Sequence, residues 1–549
     1  MKTTSADYVI YGCIFTGEGT IEQAMAVKGK KILYVGSCEG VSSFIGEETR
    51  ILREENGLIL PGMTEGHAHV TSMYEILNYA PLYKGESVEE YIQIYKKFLK
   101  EHPQSRVLMG RGYRNGVFEE PGPQACMLDE ISREIPIIAI GEDAHSMWVS
   151  SKALEMAGID QDTAEVFGGE IVRYENGTPT GWLKEAADVL MVPLLPRLEL
   201  NKVKQAVLRY QEEALAQGIT HVFEPMLNPQ RDYEVCIRAY EELAEEGKLL
   251  LQYQVGYMLY PSDDIDQGIE RACEYRKRAR AVGSSRYSLN TIKIFIDGVL
   301  EGHTAYLQEP YADRPDSCGE PLWTQERCNE VVKKAVLNQF QVHIHTIGDG
   351  ALQMAIQAFR AAKEAGYVIS IPHAVTHVQI VGEHQFAELA KLGVCVVVNP
   401  YWHTRDSLYY EKLEKPYLGL ERAEKEYPVR SFIKAGCLLT QASDFPVTIP
   451  AMVMNSLHIM VNRGEHKYGP FEPLNPSEAL TVEEALMVLT TNGAKQGGLE
   501  QSCGTLAAGK DADFVIFDKN LLTIEPSQLY TAKVKHIFIQ GKYIKEQEE

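Results

Sequence analysis

CNEVVKKAVLNQFQVHIHTIGDGALQMAIQAFRAAKEAGYVISIPHAVTHV, residues 328–378, states the same structural unit twice. CNEVVKKAVLNQ has helical apolar spacing, and FQVHIHTIG (340–348) is a short run rich in β-branched residues. GALQMAIQAFRAAKEAG and PHAVTHV (372–378) then repeat the pair. Upstream, NKVKQAVLRYQEEALAQG leads into ITHVFEP, YEVCIRAYEELAEEGK into LLLQYQVGYML, and RACEYRKRARA into TIKIFID. Downstream, QFAELAKLG leads into VCVVVNP and VRSFIKAG into CLLTQASD, while LILPGM (58–63) supplies an earlier apolar strand. Glycines at 218, 366, 393 and 436 close the helices, where a left-handed cap is expected.

Eight strands in βα alternation, with right-handed crossovers, most economically close as a (β/α)8 barrel of the TIM type. An open doubly wound sheet is the alternative, but no G-x-G-x-x-G turn follows the first strand. Short β-rich runs before residue 60 (DYVIYGCIFT, AMAVKG, KILYVGS) match DADFVIFD and VKHIFIQGKYI near the end. They predict a small antiparallel β-domain, a β-sandwich, built by both termini from residues 1–60 and 500–549, with the barrel at 61–499. The stretch of about 80–200, after the first barrel strand, is too long for a βα loop and is read as an insertion capping the barrel mouth.

The 549 residues carry 54 Lys and Arg against 76 Asp and Glu, a formal charge of -22, and no basic block. That excludes the electrostatic footprint of a nucleic-acid or anionic-membrane binder and favours a small-molecule partner. No run approaches the roughly 18 apolar residues of a membrane span, and no basic-then-apolar leader opens the chain, so a cytoplasmic location is expected. The ten cysteines form no C-x-x-C pair and are read as reduced thiols. The expected assembly is a homo-oligomer, a dimer.

His67 and His69 alternate just after the first barrel strand, so both imidazoles can face one metal. Lys293, His345, His377 and Asp444 fall near the C-terminal ends of strands 4, 5, 6 and 8, the catalytic face of such barrels. Lys293 stands among Ile292, Ile294, Phe295 and Ile296, where an ammonium is costly to bury. It reads either as a barrel lysine paired to a carboxylate or, after reaction with carbon dioxide, as a carbamate with two oxygens for two cations.

With PGMTEGHAH (61–69), GEDAHSMWVSSKAL (141–154), GTPTGWLKEAA (177–187), IKIFIDGVLEGHTA (292–305), HTIGDGA (345–351), VTHVQI (375–380), ASDFPV (442–447) and GTLAAGKDADFVIFD (504–518), nearly the whole chain resembles the amidohydrolase superfamily. It is most similar to the amidohydrolase-3 group, which includes YtcJ-like proteins and N-substituted formamide deformylases. The resemblance implies a metal-bearing barrel, with ligand roles for His67, His69, Lys293 as carbamate, His345, His377 and Asp444. The sequence departs from the group at Glu65, where an Asp is common, and at Thr376, where a Glu often precedes the strand 6 histidine.

Such a ligand set suits two Zn2+ ions, with Fe, Mn or Co as substitutes. Zinc lowers the pKa of water to about 7, and Asp444 is expected to take the proton of the attacking water and return it to the leaving nitrogen. His145, in the inserted segment, and His303, Tyr306, Trp402 and His403, in loops after strands 4 and 7, are candidate substrate contacts. His343 is read as a structural hydrogen-bonding partner, and Arg111 and Arg114 as loop arginines able to meet a substrate carboxylate.

The expected reaction is hydrolysis of a linear, non-peptide C–N amide bond, possibly in an N-substituted formamide. Cyclic-amide opening or deamination of an amino-heterocycle is the second reading. Related deaminases place a Glu three residues after the strand 5 histidine, where this chain has Gly348. A metal-free regulatory or binding protein on the same barrel is the reading from another class.

Overall fold

The eight parallel barrel strands are β1 (Met63–Glu65), β2 (Ile219–Glu224), β3 (Gln252–Met258), β4 (Tyr287–Phe295), β5 (Gln341–Thr346), β6 (Ala374–His377), β7 (Cys395–Val398) and β8 (Leu438–Gln441). Each is hydrogen-bonded to the next in sequence order, so the expected βα alternation is the observed sheet. The structure, a computed structural model, describes residues 5–166, 168–227, 232–466 and 471–546. The outer ends of the expected terminal domain, 1–4 and 547–549, lie outside the described residues. Among the described residues no helix is long and apolar enough to cross a membrane.

The ring is drawn shut between β1 and β8. The Gly66 N–H donates to the Gln441 carbonyl at 3.0 Å, and the Gln441 side-chain amide donates to the Thr64 carbonyl at 3.0 Å. Glu65 extends the seam by accepting from the Ser443 N–H at 2.8 Å. Gly66 is required here, since a Cβ would sit 2.6 Å from the Gln441 carbonyl oxygen.

One strand differs from the sequence reading. The run LILPGM divides at Gly62: Arg50–Pro61 is a strand of the terminal sheet, and only Met63–Glu65 enters the barrel. Apolarity alone marked both pieces as buried strand, and the change of partner falls inside the run. The terminal sheet has seven strands in the order 542–546, 534–539, 514–517, 50–61, 8–15, 21–28 and 31–36. It is mixed rather than wholly antiparallel, because Tyr8–Phe15 pairs parallel with Arg50–Pro61. Chain segments from both termini therefore share one sheet, whose Phe514 and Phe538 rings stack at 4.4 Å.

The inserted segment has its own six-stranded sheet, spanning Ala80–Pro81 to Pro179–Glu185, and its own core around Trp148, Tyr95 and Tyr113. Helix Val88–Glu101 packs on it, capped by Ser87, whose hydroxyl accepts from the Glu90 N–H.

Candidate metal centre

Four imidazoles converge at the C-terminal end of the barrel. Ring centroids lie 5.1 Å apart for His67 and His69, 5.4 Å for His67 and His377, and 4.6 Å for His345 and His377. Asp444, after β8, brings Oδ1 to 3.3 Å from His67 Nε2 and 3.1 Å from His69 Nε2. These three ligand atoms lie within 4.8 Å of one another.

The backbone is bent to present these groups. His377, Val378 and Asp444 all have positive φ, at 76°, 49° and 56°. Such conformations cost about 1–3 kcal/mol each for non-glycine residues and concentrate at functional sites. The Asp444 N–H donates to the His67 carbonyl at 2.9 Å, tying the two ligand loops together.

Every one of the four histidines has its Nδ1 engaged. His69 Nδ1 donates to the Met226 carbonyl at 3.2 Å, and His345 Nδ1 to Asp297 Oδ1 at 3.2 Å. His377 Nδ1 donates to Asn399 Oδ1 at 2.8 Å, an amide oriented by its own Nδ2 donating to the Ala442 carbonyl. His67 Nδ1 lies 2.9 Å from His343 Nε2. A carbonyl or carboxylate acceptor places the imidazole proton on Nδ1 and leaves the Nε2 lone pair to face inward, the arrangement of a metal ligand. Burial holds His67 and His345 well below the usual imidazole range and pushes His377 down to about 4. These three are therefore neutral and fit to ligate at neutral pH.

Asp297 is buried at the end of β4, where it also accepts from the Ile347, Gly348 and Tyr306 N–H groups at 3.0, 2.8 and 3.1 Å. Lys293, on β4, is fully buried, and its Nζ has no hydrogen-bond partner among the described residues. Burial lowers its pKa to about 7, against the opposing charge of Asp444. Burial alone would raise the Asp444 carboxyl, but the His69 contact and neighbouring positive charge hold it below the usual carboxylate range.

Above the cluster is a cavity of about 200 Å³ whose wall includes His145, His345, His377, Trp402 and Asp444. The Trp402 ring stacks on His377 at 5.3 Å. His145, from the inserted sheet, pairs through Nδ1 with Glu185 Oε2 at 2.7 Å, and its ring lies 5.3 Å from that of His345. Burial would lower its pKa, but the Glu185 charge and hydrogen bond outweigh burial and push it up to about 9. Glu301 and Glu414 also face the cavity, and burial pushes Glu301 up to about 7.

Three residues expected near substrate stand elsewhere. His303 pairs with Asp313 at 2.8 Å and packs on Tyr417, off the cavity wall. Tyr306 lines a separate depression with Trp323 and Gln353. His403 is buried behind the wall, with Nδ1 3.0 Å from Arg463 Nη1 and its ring on Tyr427. Arg114 lines the cavity but is paired with Glu142 at 3.0 Å, while Arg111 is buried 3.5 Å from Glu75. Glu65 and Thr376 both sit beside the histidines: Glu65 accepts from the His67 N–H at 3.3 Å, and Thr376 Oγ1 is buried without a hydrogen-bond partner among the described residues. The sequence reading did not pick out Asn399 or Glu185. Glu185 stands inside the GTPTGWLKEAA motif and Asn399 outside every quoted motif, and only the fold brings them to their histidines.

The sequence model of the amidohydrolase family matches residues 55–544. The chain belongs to the amidohydrolase family. Among family relatives, YtcJ of Bacillus subtilis (strain 168) is 26% identical over 540 residues, covering 97% of this chain and 98% of YtcJ. The N-substituted formamide deformylase of Arthrobacter pascens is 24% identical over 547 residues, covering 94% of each. An uncharacterized metal-dependent hydrolase from Pyrococcus horikoshii has a similar fold, with a TM-score of 0.72 at 23% identity, over 94% of this chain and 99% of that one.

Proposed function

We propose that this amidohydrolase is a metal-dependent hydrolase of linear, non-peptide C–N amide bonds, with N-substituted formamides the foremost substrate class. The observation that carries the reading is the set of four histidines with engaged Nδ1 atoms around a buried carboxylate and a lysine amine that has no hydrogen-bond partner among the described residues. His67, His69, His345, His377 and Asp444 would hold two divalent ions, zinc being the best match to nitrogen and carboxylate donors. Lys293 would join them as a carbamate: its neutral amine attacks the carbon of carbon dioxide, forms an N–C bond and releases one proton. When bound, the ions make water acidic enough to react near neutral pH and polarise the amide carbonyl.

The chain's own groups account for the rest. Asp444 accepts a proton from the attacking water at its carboxylate and returns it to the leaving nitrogen, which departs as an amine only when protonated. His145 lines the cavity with Nδ1 committed to Glu185 and is assigned to the substrate carbonyl or the departing carboxylate. Trp402 offers a flat apolar wall to the substituent on nitrogen.

Gly348 weighs against deamination. A Cβ there would meet the Tyr306 carbonyl oxygen at 2.0 Å, so no glutamate proton donor fits at that position. The deciding experiment is a panel of N-formyl, N-acetyl, cyclic-amide and aminopyrimidine compounds offered to the zinc-loaded protein. Turnover of the N-formyl amines above all others is expected. Ammonia release from the aminopyrimidines alone would overturn the reading.

A further inference from the structure

We propose that His343 is the positioning residue that fixes His67 as a metal ligand, by accepting the Nδ1 proton of His67 at its own Nε2. The inference rests on the preceding assignment of His67 to the metal centre. His343 sits on β5, in register with Lys293 on β4, with its side chain inside the barrel. Its Nε2 lies 2.9 Å from His67 Nδ1, and the two rings meet at 61° with centroids 4.9 Å apart.

The other three histidines lean on groups that can only accept at the contacting atom: a main-chain carbonyl, a carboxylate and an amide oxygen. An imidazole can donate or accept, so among these four contacts the His67–His343 pair is the one that leaves the tautomer open. For His67 to offer Nε2 to an ion, Nδ1 must carry the proton, and His343 Nε2 must present its lone pair. His343 has no other hydrogen-bonding task, because its Nδ1 is buried with no partner among the described residues. Its one polar contact is the one that orients His67. A neutral imidazole is also a weaker acceptor than the Asp297 carboxylate behind His345, so the two ligands are supported unequally.

The test measures Zn2+ affinity by competition with a chromophoric chelator, independently of any substrate. His343→Leu keeps the apolar bulk and removes the acceptor, and His343→Gln places an amide oxygen near the same point. A 10- to 100-fold loss of affinity in His343→Leu, with recovery to within a few fold in His343→Gln, is expected. The thermal midpoint of the metal-free variants should stay near that of the parent protein. Parent-like affinity in His343→Leu, or equal losses in both variants, would overturn the role. If His343→Leu does not fold, His343→Asn, polar but too short to reach His67, takes its place with the same expected loss. His67→Ala separates the two claims, since unchanged zinc binding in that variant would instead remove the metal assignment itself.

Discussion

Glu185 sets one carboxylate oxygen 2.7 Å from His145 Nδ1 and the other 2.6 Å from the Thr304 hydroxyl, so one side chain joins the inserted sheet to the loop after β4. Glu185 itself has a φ of 48°, an unfavourable conformation for a residue with a Cβ. The inserted segment is thus clamped over the barrel mouth by the same group that keeps His145 charged.

This pairing predicts a pH dependence of stability. Glu185 pushes the folded His145 up to about 9 from the ordinary imidazole value of about 6.5, so its contribution is complete below pH 6.5 and disappears as pH rises through 9. With the side chain 14% exposed, the shift corresponds to at most about 3 kcal/mol. Glu185→Gln should lower the urea midpoint at pH 6 and approach the parent protein near pH 10. A difference that stays constant across that range would contradict the ion pair.

Asp444→Asn should keep much of its metal, because an amide oxygen still ligates, yet lose hydrolysis by about 100-fold or more for want of a proton acceptor. Metal analysis alongside kcat distinguishes this from His67→Ala, which should lose metal. Near-parental kcat in Asp444→Asn would remove the proton role.

Lys293→Ala should be inactive and short of metal, with partial recovery on adding short-chain carboxylic acids that supply the missing oxygens. Protein loaded with metal in carbon-13 bicarbonate should also show a carbamate carbon resonance that Lys293→Ala lacks. An unmodified Lys293 amine in metal-loaded protein would leave the simple buried lysine as the answer.

Gly348→Ala should destabilise the fold by about 1–3 kcal/mol, since the added methyl meets the Tyr306 main chain rather than a yielding side chain. Because the Gly348 N–H also holds Asp297, zinc affinity should fall with it. Chelator competition and thermal unfolding on the same sample would show whether the two losses travel together.

Much of the barrel was legible because its signals are local. The glycines at 218, 366, 393 and 436 take φ values of 84°, 81°, 72° and 89°, as left-handed helix ends demand, and after 218, 393 and 436 a strand begins within two residues. The histidines and Asp444 could be placed at strand ends from strand order alone. What supports them could not, since Met226, Asp297 and Asn399 reach their histidines by approach in space between neighbouring strand ends. His403 shows the limit in the other direction. It follows Trp402 directly, yet one residue of rotation sends Trp402 to the cavity and His403 to Arg463.

The seam between β1 and β8 has a consequence for the order of synthesis. Ser443 and Glu65, which meet there, are 378 residues apart in the chain, and the His67, His69 and Asp444 cluster straddles the same join. A nascent chain leaving the ribosome therefore carries this cluster incomplete through most of its translation, and the three residues meet only after the last barrel strand has emerged. Under the proposed metal assignment, closing the ring and assembling this site are therefore one late event.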